Sequence, residues 1–472
     1  MWSGKTIAAF CALTTLTACA VQKYRPAPLS PARTRASLEA RSLADAGLHE
    51  FFRESSRVPP ATWPLSRWNL PDLTLAAFYY HPALQIARAR VSEAEAAIIT
   101  AGARPNPTAK ADAGGETSPE SPWIAGLGFS VPIETAGKRR YRISQAERLA
   151  DAARWNLAST AWTVRAQVRS TLLEYLAASR NLSLLQAQER VRAEQVELLE
   201  QRLAVGMISR PEVDMARVQH SQTLLAVGTA EGRVARADAS LAAALGVPTA
   251  ATKGIEIIWP GFDEPPGPSS LTPARIQEDA VLNRLDIRRA LAEHSASEAA
   301  LQLEIAKQYP DFDLGPSYAF EEGAHLFSLA LALTLPVFNR NQGPIAQAEA
   351  RREQMAAQFV AVQAAGIAQS ERGLATYTAA MNELAQARRL VGQARAQEQA
   401  AQKALQAGQS DRMVLNGVRL QTAIASLGEL DALYRTQQAL GDLENAVQRP
   451  LLPGDIQPLS LQSPVLDRTR KR

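Results

Sequence analysis

The side chains that could act on a substrate or hold a metal are few and scattered. The five histidines, His49, His81, His220, His294 and His325, lie far apart, and none has a second histidine or a cysteine at metal-ligand spacing. There is no phosphate loop, no nucleophile elbow and no carboxylate pair placed for acid–base work. The expectation is a protein that is not an enzyme and carries no cofactor and no resident metal. With 51 basic against 47 acidic residues the charge is nearly balanced, and no face is basic enough to expect nucleic acid as a partner.

The one residue whose surroundings point to covalent chemistry is Cys19. Residues 1–18 carry Lys5, an apolar run over 7–16 and no acid, the layout of a signal peptide. Leu16-Thr17-Ala18-Cys19 then resembles a bacterial lipobox, so Cys19 is the expected lipidation site, and Ala20 after it points to sorting to the outer membrane. Cys11 falls in the segment to be removed, leaving one cysteine and no disulfide. Residues 19–69, rich in Pro and Arg around a single helical pattern over 35–53, read as a lipidated arm laid over the outside of the body. Trp63 and Trp68 would anchor it.

The elements that must position everything else are long. Residues 137–205 contain neither proline nor glycine after Gly137 and are rich in Ala, Leu, Arg, Gln and Glu, which predicts a helix roughly 100 Å long. Val168, Tyr175, Leu182, Val196 and Leu203, with Ala178, Leu185 and Leu199, form a heptad seam broken by Glu189 and Arg192. Gly206 ends this helix as a left-handed residue, and Ser209 with Pro211 restarts the next, giving a coiled-coil hairpin. The same tip recurs 202 residues on at Gly408, Asp411 and Arg412. One unit is therefore written twice, over 70–248 and 272–450, with a linker over 249–271 and a tail over 451–472. Each copy holds a leading helix, over about 72–103 and 272–306, a strand hairpin, over 108–133 and 310–337, and a long helical hairpin, over 137–245 and 344–448.

Strand signals occur only between the leading and the long helices. In 123–133 the odd positions are Trp123, Ala125, Leu127, Phe129, Val131 and Ile133, while the even ones are mostly Gly, Ser and Pro. In 325–337 the odd positions from Phe327 to Val337 are apolar and the intervening ones small. Each run is about as long as a tilted strand needs to cross a bilayer, and no stretch outside the signal reaches the ~20 apolar residues of a spanning helix. A crossing must then be a closed barrel. Four strands are fewer than the about eight of the smallest outer-membrane barrels, so an oligomer is required.

These residues resemble the TolC-like outer-membrane efflux channels. The likeness rests on Cys19 with Tyr24-Arg25-Pro26, on His81-Pro82-Ala83-Leu84, on Pro105-Asn106-Pro107, on Leu335-Pro336-Val337-Phe338-Asn339-Arg340-Asn341-Gln342-Gly343 and on the two tips. Pro132-Ile133-Glu134-Thr135-Ala136-Gly137-Lys138-Arg139 is similar to the heavy-metal branch. The resemblance implies a mainly α protein with a membrane β-barrel portion. That fold is a homotrimer whose twelve strands form a barrel in outer-membrane lipid and whose helices form a periplasmic tunnel. It implies passive conduction for an inner-membrane RND-type pump and a periplasmic adaptor. The adaptor would dock at Val205-Gly206-Met207 and Ala407-Gly408-Gln409. Arg210, Glu212, Asp411 and Arg412 would sit at the tunnel's closing aperture, with Glu212 pairing with Arg210 or Arg412. The second tip departs from the family's acidic pattern, having Val414 and Gly417 where acids are expected. Gly137 and Gly343 would relieve strain where strand becomes helix. A non-conducting coiled-coil envelope lipoprotein, or the outer channel of a type I protein secretion system, are the alternatives.

Overall fold

The structure, a computed structural model, describes residues 22–55, 62–115, 123–267, 271–321 and 324–451. The signal segment and Cys19 lie outside the described residues. The chain divides into two units, 1–41 and 42–472. In the first, α1 (Pro31–Glu39) starts at Ser30, whose hydroxyl accepts from the Arg33 N–H, and buries no residue.

In the second unit α2 (Ala46–Ser55) is followed by β1 (Arg67–Trp68). The series α3 (Leu70–Tyr80), α4 (Pro82–Ala101), β2 (Thr108–Gly115), β3 (Trp123–Ile133), α5 (Lys138–Ala204) and α6 (Arg210–Leu245) comes next. After β4 (Glu256–Ile257) the series repeats as α7 (Pro273–Leu282), α8 (Leu285–Ala306), β5 (Phe312–Glu321), β6 (Ala324–Leu333), α9 (Gln342–Gln406) and α10 (Arg412–Val447). The long helices have 67 and 65 residues and their return helices 36 each.

Three expectations need correction here. The single helical pattern over 35–53 is two helices, and α2 is not laid over the outside, because Leu48, Phe51 and Phe52 are buried in the main core with Trp68, Leu73 and Phe78. Their spacing of three and four residues is that of a helix with one buried face. Each leading helix is also broken in two. His81 is extended (ψ 124°) because a residue before proline disfavours helix, and its ring Nδ1 accepts from the Ala83 N–H. Arg284 makes the same break in the second copy. Strand β6 ends at Leu333 rather than at 337; beyond it the Val337 N–H bonds to the Leu335 carbonyl in a tight turn around Pro336.

The polar break in the α5 seam is bridged across the hairpin. Glu189 is hydrogen-bonded to half-buried His220 on α6 across 2.8 Å, and Arg192 donates to Gln219 on α6 and to Gln195. His220 is thus part of a polar layer between the two helices of the hairpin.

The linker between the repeats holds both of them. Its strand β4 pairs in parallel with β1, with Arg67 paired to Glu256. Further on, the carbonyls of Gly261 and Phe262 accept from Gln437 of α10, the Pro266 carbonyl accepts from Tyr377 of α9, and Asp263 pairs with Arg180 of α5.

Candidate functional site

The two strand hairpins merge into one antiparallel sheet of order β2-β3-β5-β6, so the duplicated units meet at its centre. Cross-strand partners share a face, and the register Ala111–Leu127–Tyr318–Phe327 therefore fixes what each face carries. One face holds Ala109, Ala111 and Ala113, then Trp123 to Ile133 at odd positions. Phe312, Leu314, Pro316, Tyr318 and Phe320 follow, then Phe327, Leu329, Leu331 and Leu333. Its polar groups are the His325 ring at the hairpin end and the Tyr318 hydroxyl, hydrogen-bonded to each other through Nδ1 at 2.7 Å. The opposite face is small or polar apart from Ile124 and Leu326 near the hairpin ends, with Lys110, Asp112, Gly126, Gly128, Ser130, Asp313, Ser317 and Ser328. The apolar face is open to solvent in the single chain, Phe327 at 80% and Trp123 at 73%. Among the described residues β2 and β6 have no partner on their outer edges.

Where this sheet meets the helices, the motif over 132–139 forms a lock. Arg142 pairs with Glu134 and donates to the Ala101 and Ala103 carbonyls, and Arg139 donates to the Gly102 carbonyl, so two arginines satisfy the last carbonyl of α4 and those of the two residues after it. Buried Lys138 reaches Asp311 and the Tyr309 carbonyl, both at 2.7 Å, tying the first repeat's corner to the second repeat. Gly137 takes a left-handed conformation (φ 74°). Gly343 does not: it lies in the first turn of α9, and the left-handed residue of that corner is Asn341 (φ 65°), whose amide donates to the Glu304 carbonyl and carboxylate. Asparagine is one of the few residues besides glycine that tolerate this region.

The tips are built alike. The Gly206 and Met207 N–H groups bond back to the Leu203 and Arg202 carbonyls, and those of Gly408 and Gln409 to Leu405 and Ala404, the double closure of a glycine-ended helix. Both glycines have φ 72°, and Val205, Met207, Ala407 and Gln409 are exposed around them. The charged residues behave differently from the expectation. Glu212 closes a capping box with Ser209, and neither Arg210 nor Arg412 contacts it among the described residues. Asp411 caps α10 through the Val414 N–H at 2.9 Å and pairs with Arg202 of α5 at 2.7 Å, which joins the two tips. Sequence reasoning missed Arg202; its place in the last turn of α5, beside the tip, was the available signal.

Both tip carboxylates are held below the ordinary range, Glu212 by the Ser209 hydroxyl and N–H, and Asp411 by the Val414 N–H and then by Arg202. A depressed folded-state pKa adds stability that is present above the unfolded value and is lost as pH falls through the folded one. The tips are therefore expected to stay closed near neutrality and to fray below about pH 4. Hydrogen exchange at Val414 and Glu212, corrected for the intrinsic pH dependence, checks this; equal protection in acid and at neutrality would contradict it.

Among the described residues no group of His, Cys, Asp or Glu is placed to hold a metal, and no helix is long and apolar enough to cross a membrane.

The fold is shared with solved structures. VceC from Vibrio cholerae superposes with a TM-score of 0.64 at 20% identity, covering 80% of this chain and 95% of that one. CusC gives 0.64 at 17% identity over 91% and 99%. In sequence, the cobalt-zinc-cadmium resistance protein CzcC of Cupriavidus metallidurans is 28% identical over 270 residues, a stretch spanning 55% of this chain and 61% of that protein's length. The family model described as outer membrane efflux protein matches residues 76–247 and again 276–447. The chain belongs to the outer membrane efflux protein family.

Proposed function

We propose that three copies of this chain form a passive duct from the periplasm through the outer membrane, the outer component of a tripartite efflux system. The observation that carries this is the four-stranded sheet with one apolar face and two unpaired edges. Three antiparallel steps lead from β2 to β6, so β6 of one copy meets β2 of the next antiparallel, and a ring closes without a mismatched edge. Three copies give twelve strands, above the about eight of the smallest such barrels. The apolar face then contacts lipid, and the small polar face lines water.

In this reading Cys19 is lipidated and anchors the chain to the outer membrane. The exposed tips around Gly206 and Gly408 receive a periplasmic adaptor that links the duct to an RND-type pump, which supplies the energy. The likeness to CzcC makes divalent metal cations the first substrate class to test.

The test uses a deletion strain challenged with zinc and cobalt. The wild-type gene should restore tolerance, and the purified protein should conduct in planar bilayers. Gly206→Phe with Gly408→Phe should leave bilayer conductance in place while tolerance is lost. A purified protein that never conducts refutes the duct; full tolerance with both substitutions refutes docking at the tips.

A further inference from the structure

Four exposed arginines gather at the foot of the sheet. Arg104 follows α4, Arg139 and Arg140 open α5, and Arg340 precedes α9, and all four are exposed. Three carboxylates of this layer pair with other residues, Glu134 with Arg142, Asp311 with Lys138, and Glu304 with Lys307 and Asn341, while Asp313 accepts from the Ser130 hydroxyl. None of the four exposed arginines has a carboxylate partner among the described residues. Arg139 donates only to the Gly102 carbonyl and Arg140 only to the Tyr141 hydroxyl.

Apolar side chains lie in the same layer. Phe338 is fully exposed, and Leu335, Val337 and Tyr309 are more than half exposed. Leu335 and Val337 carry the apolar sequence of β6 past its last paired residue, to within three residues of Arg340. A band of apolar surface bordered by aromatics and unpaired guanidiniums has the chemistry of a membrane interface, where rings sit at the acyl boundary and cations meet headgroups. A guanidinium is also suited to phosphate, since its planar fork makes two parallel hydrogen bonds to it.

We infer that this girdle binds the phosphate headgroups of anionic phospholipid in the leaflet facing the helices, with Phe338 placed at the acyl boundary. The inference rests on the proposal that the sheet crosses a bilayer. Four exposed guanidiniums per copy, none with a carboxylate partner among the described residues, leave a positive ring that a zwitterionic headgroup does not neutralise.

The full-length protein is placed in nanodiscs of phosphatidylcholine with or without phosphatidylglycerol, and the lipids it retains on extraction are counted by native mass spectrometry. The wild type should retain phosphatidylglycerol in preference to phosphatidylcholine. Each arginine removed should weaken that preference about fivefold, so Arg140→Gln with Arg340→Gln should lower it about 25-fold, and salt should lower it in the wild type. A fluorophore on Phe338→Cys should be quenched by lipids brominated on the acyl chain. Insertion with no preference for the anionic lipid, an unchanged preference in the double variant, or a fluorophore shielded by a neighbouring copy would overturn the inference and leave the membrane reading standing. Failure of the wild type to enter nanodiscs at all would overturn both.

Discussion

A chain carrying Leu329→Arg is expected to form its helices and fail to enter bilayers. Leu329 lies opposite Pro316, near the middle of the apolar face, and is 68% exposed in the single chain. Phe129 holds the equivalent level on β3, halfway between Trp123 and Ile133. At about 3.3 Å per residue and a tilt of about 40°, those eleven residues make a band roughly 25 Å tall, the height of an outer-membrane barrel's apolar wall. Arginine at the centre of such a wall costs about 2–4 kcal/mol per copy, and a trimer would bear that cost three times. Ser328→Lys is the control, since Ser328 faces the other way, where its hydroxyl meets that of Ser317 at 2.7 Å. Co-flotation with liposomes and heat-modifiable migration on gels should be lost for the arginine variant and kept for the lysine one. Equal insertion of both would show that the apolar face does not meet lipid.

What the residues disclosed in advance, and what they withheld, follows from the range over which each feature is determined. The helical hairpins were readable because a glycine-ended helix and a capped restart are local events of a few residues, and they recur at a fixed offset. The strand faces were readable because alternation has a period of two. Some local signals were present and misassigned. Ser209 to Glu212 is a capping-box pattern, so the role of Glu212 as a cap was visible before any aperture had to be invoked. His81 before Pro82 marked a helix break, and Leu48, Phe51 and Phe52 marked a buried helical face. The polar layer of Glu189 and His220, the Lys138–Asp311 lock and the Arg202–Asp411 pair were not legible. Their partners stand 31, 173 and 209 residues apart, and no local rule selects one acid among many.

Removing the buried acid Glu444, which pairs with Arg165 and Arg169 across the two repeats, is expected to weaken the fold more than opening any exposed ion pair. Glu444 of α10 is fully buried and receives Arg165 at 3.1 Å and Arg169 at 3.2 Å from α5, both guanidiniums being buried too. The arginines stack on Trp162 and on Trp259 of the linker, and Arg169 also donates to the Gln437 carbonyl. One carboxylate thus joins the first repeat, the second repeat and the linker between them. The duplication does not supply a second such centre, because α6 and α10 correspond at an offset of 202 and the residue of α6 matching Glu444 is Ala242. Glu444→Gln keeps the shape and removes the charge, leaving two buried cations without their counter-ion, a loss of about 3–5 kcal/mol. Glu200→Gln, which opens the exposed pair with Arg217, should move stability little, because water screens that pair. Urea unfolding of the helices followed by circular dichroism separates the two cases. A midpoint for Glu444→Gln that moves no further than that for Glu200→Gln would mean that packing alone, and not the buried charges, holds the two repeats together.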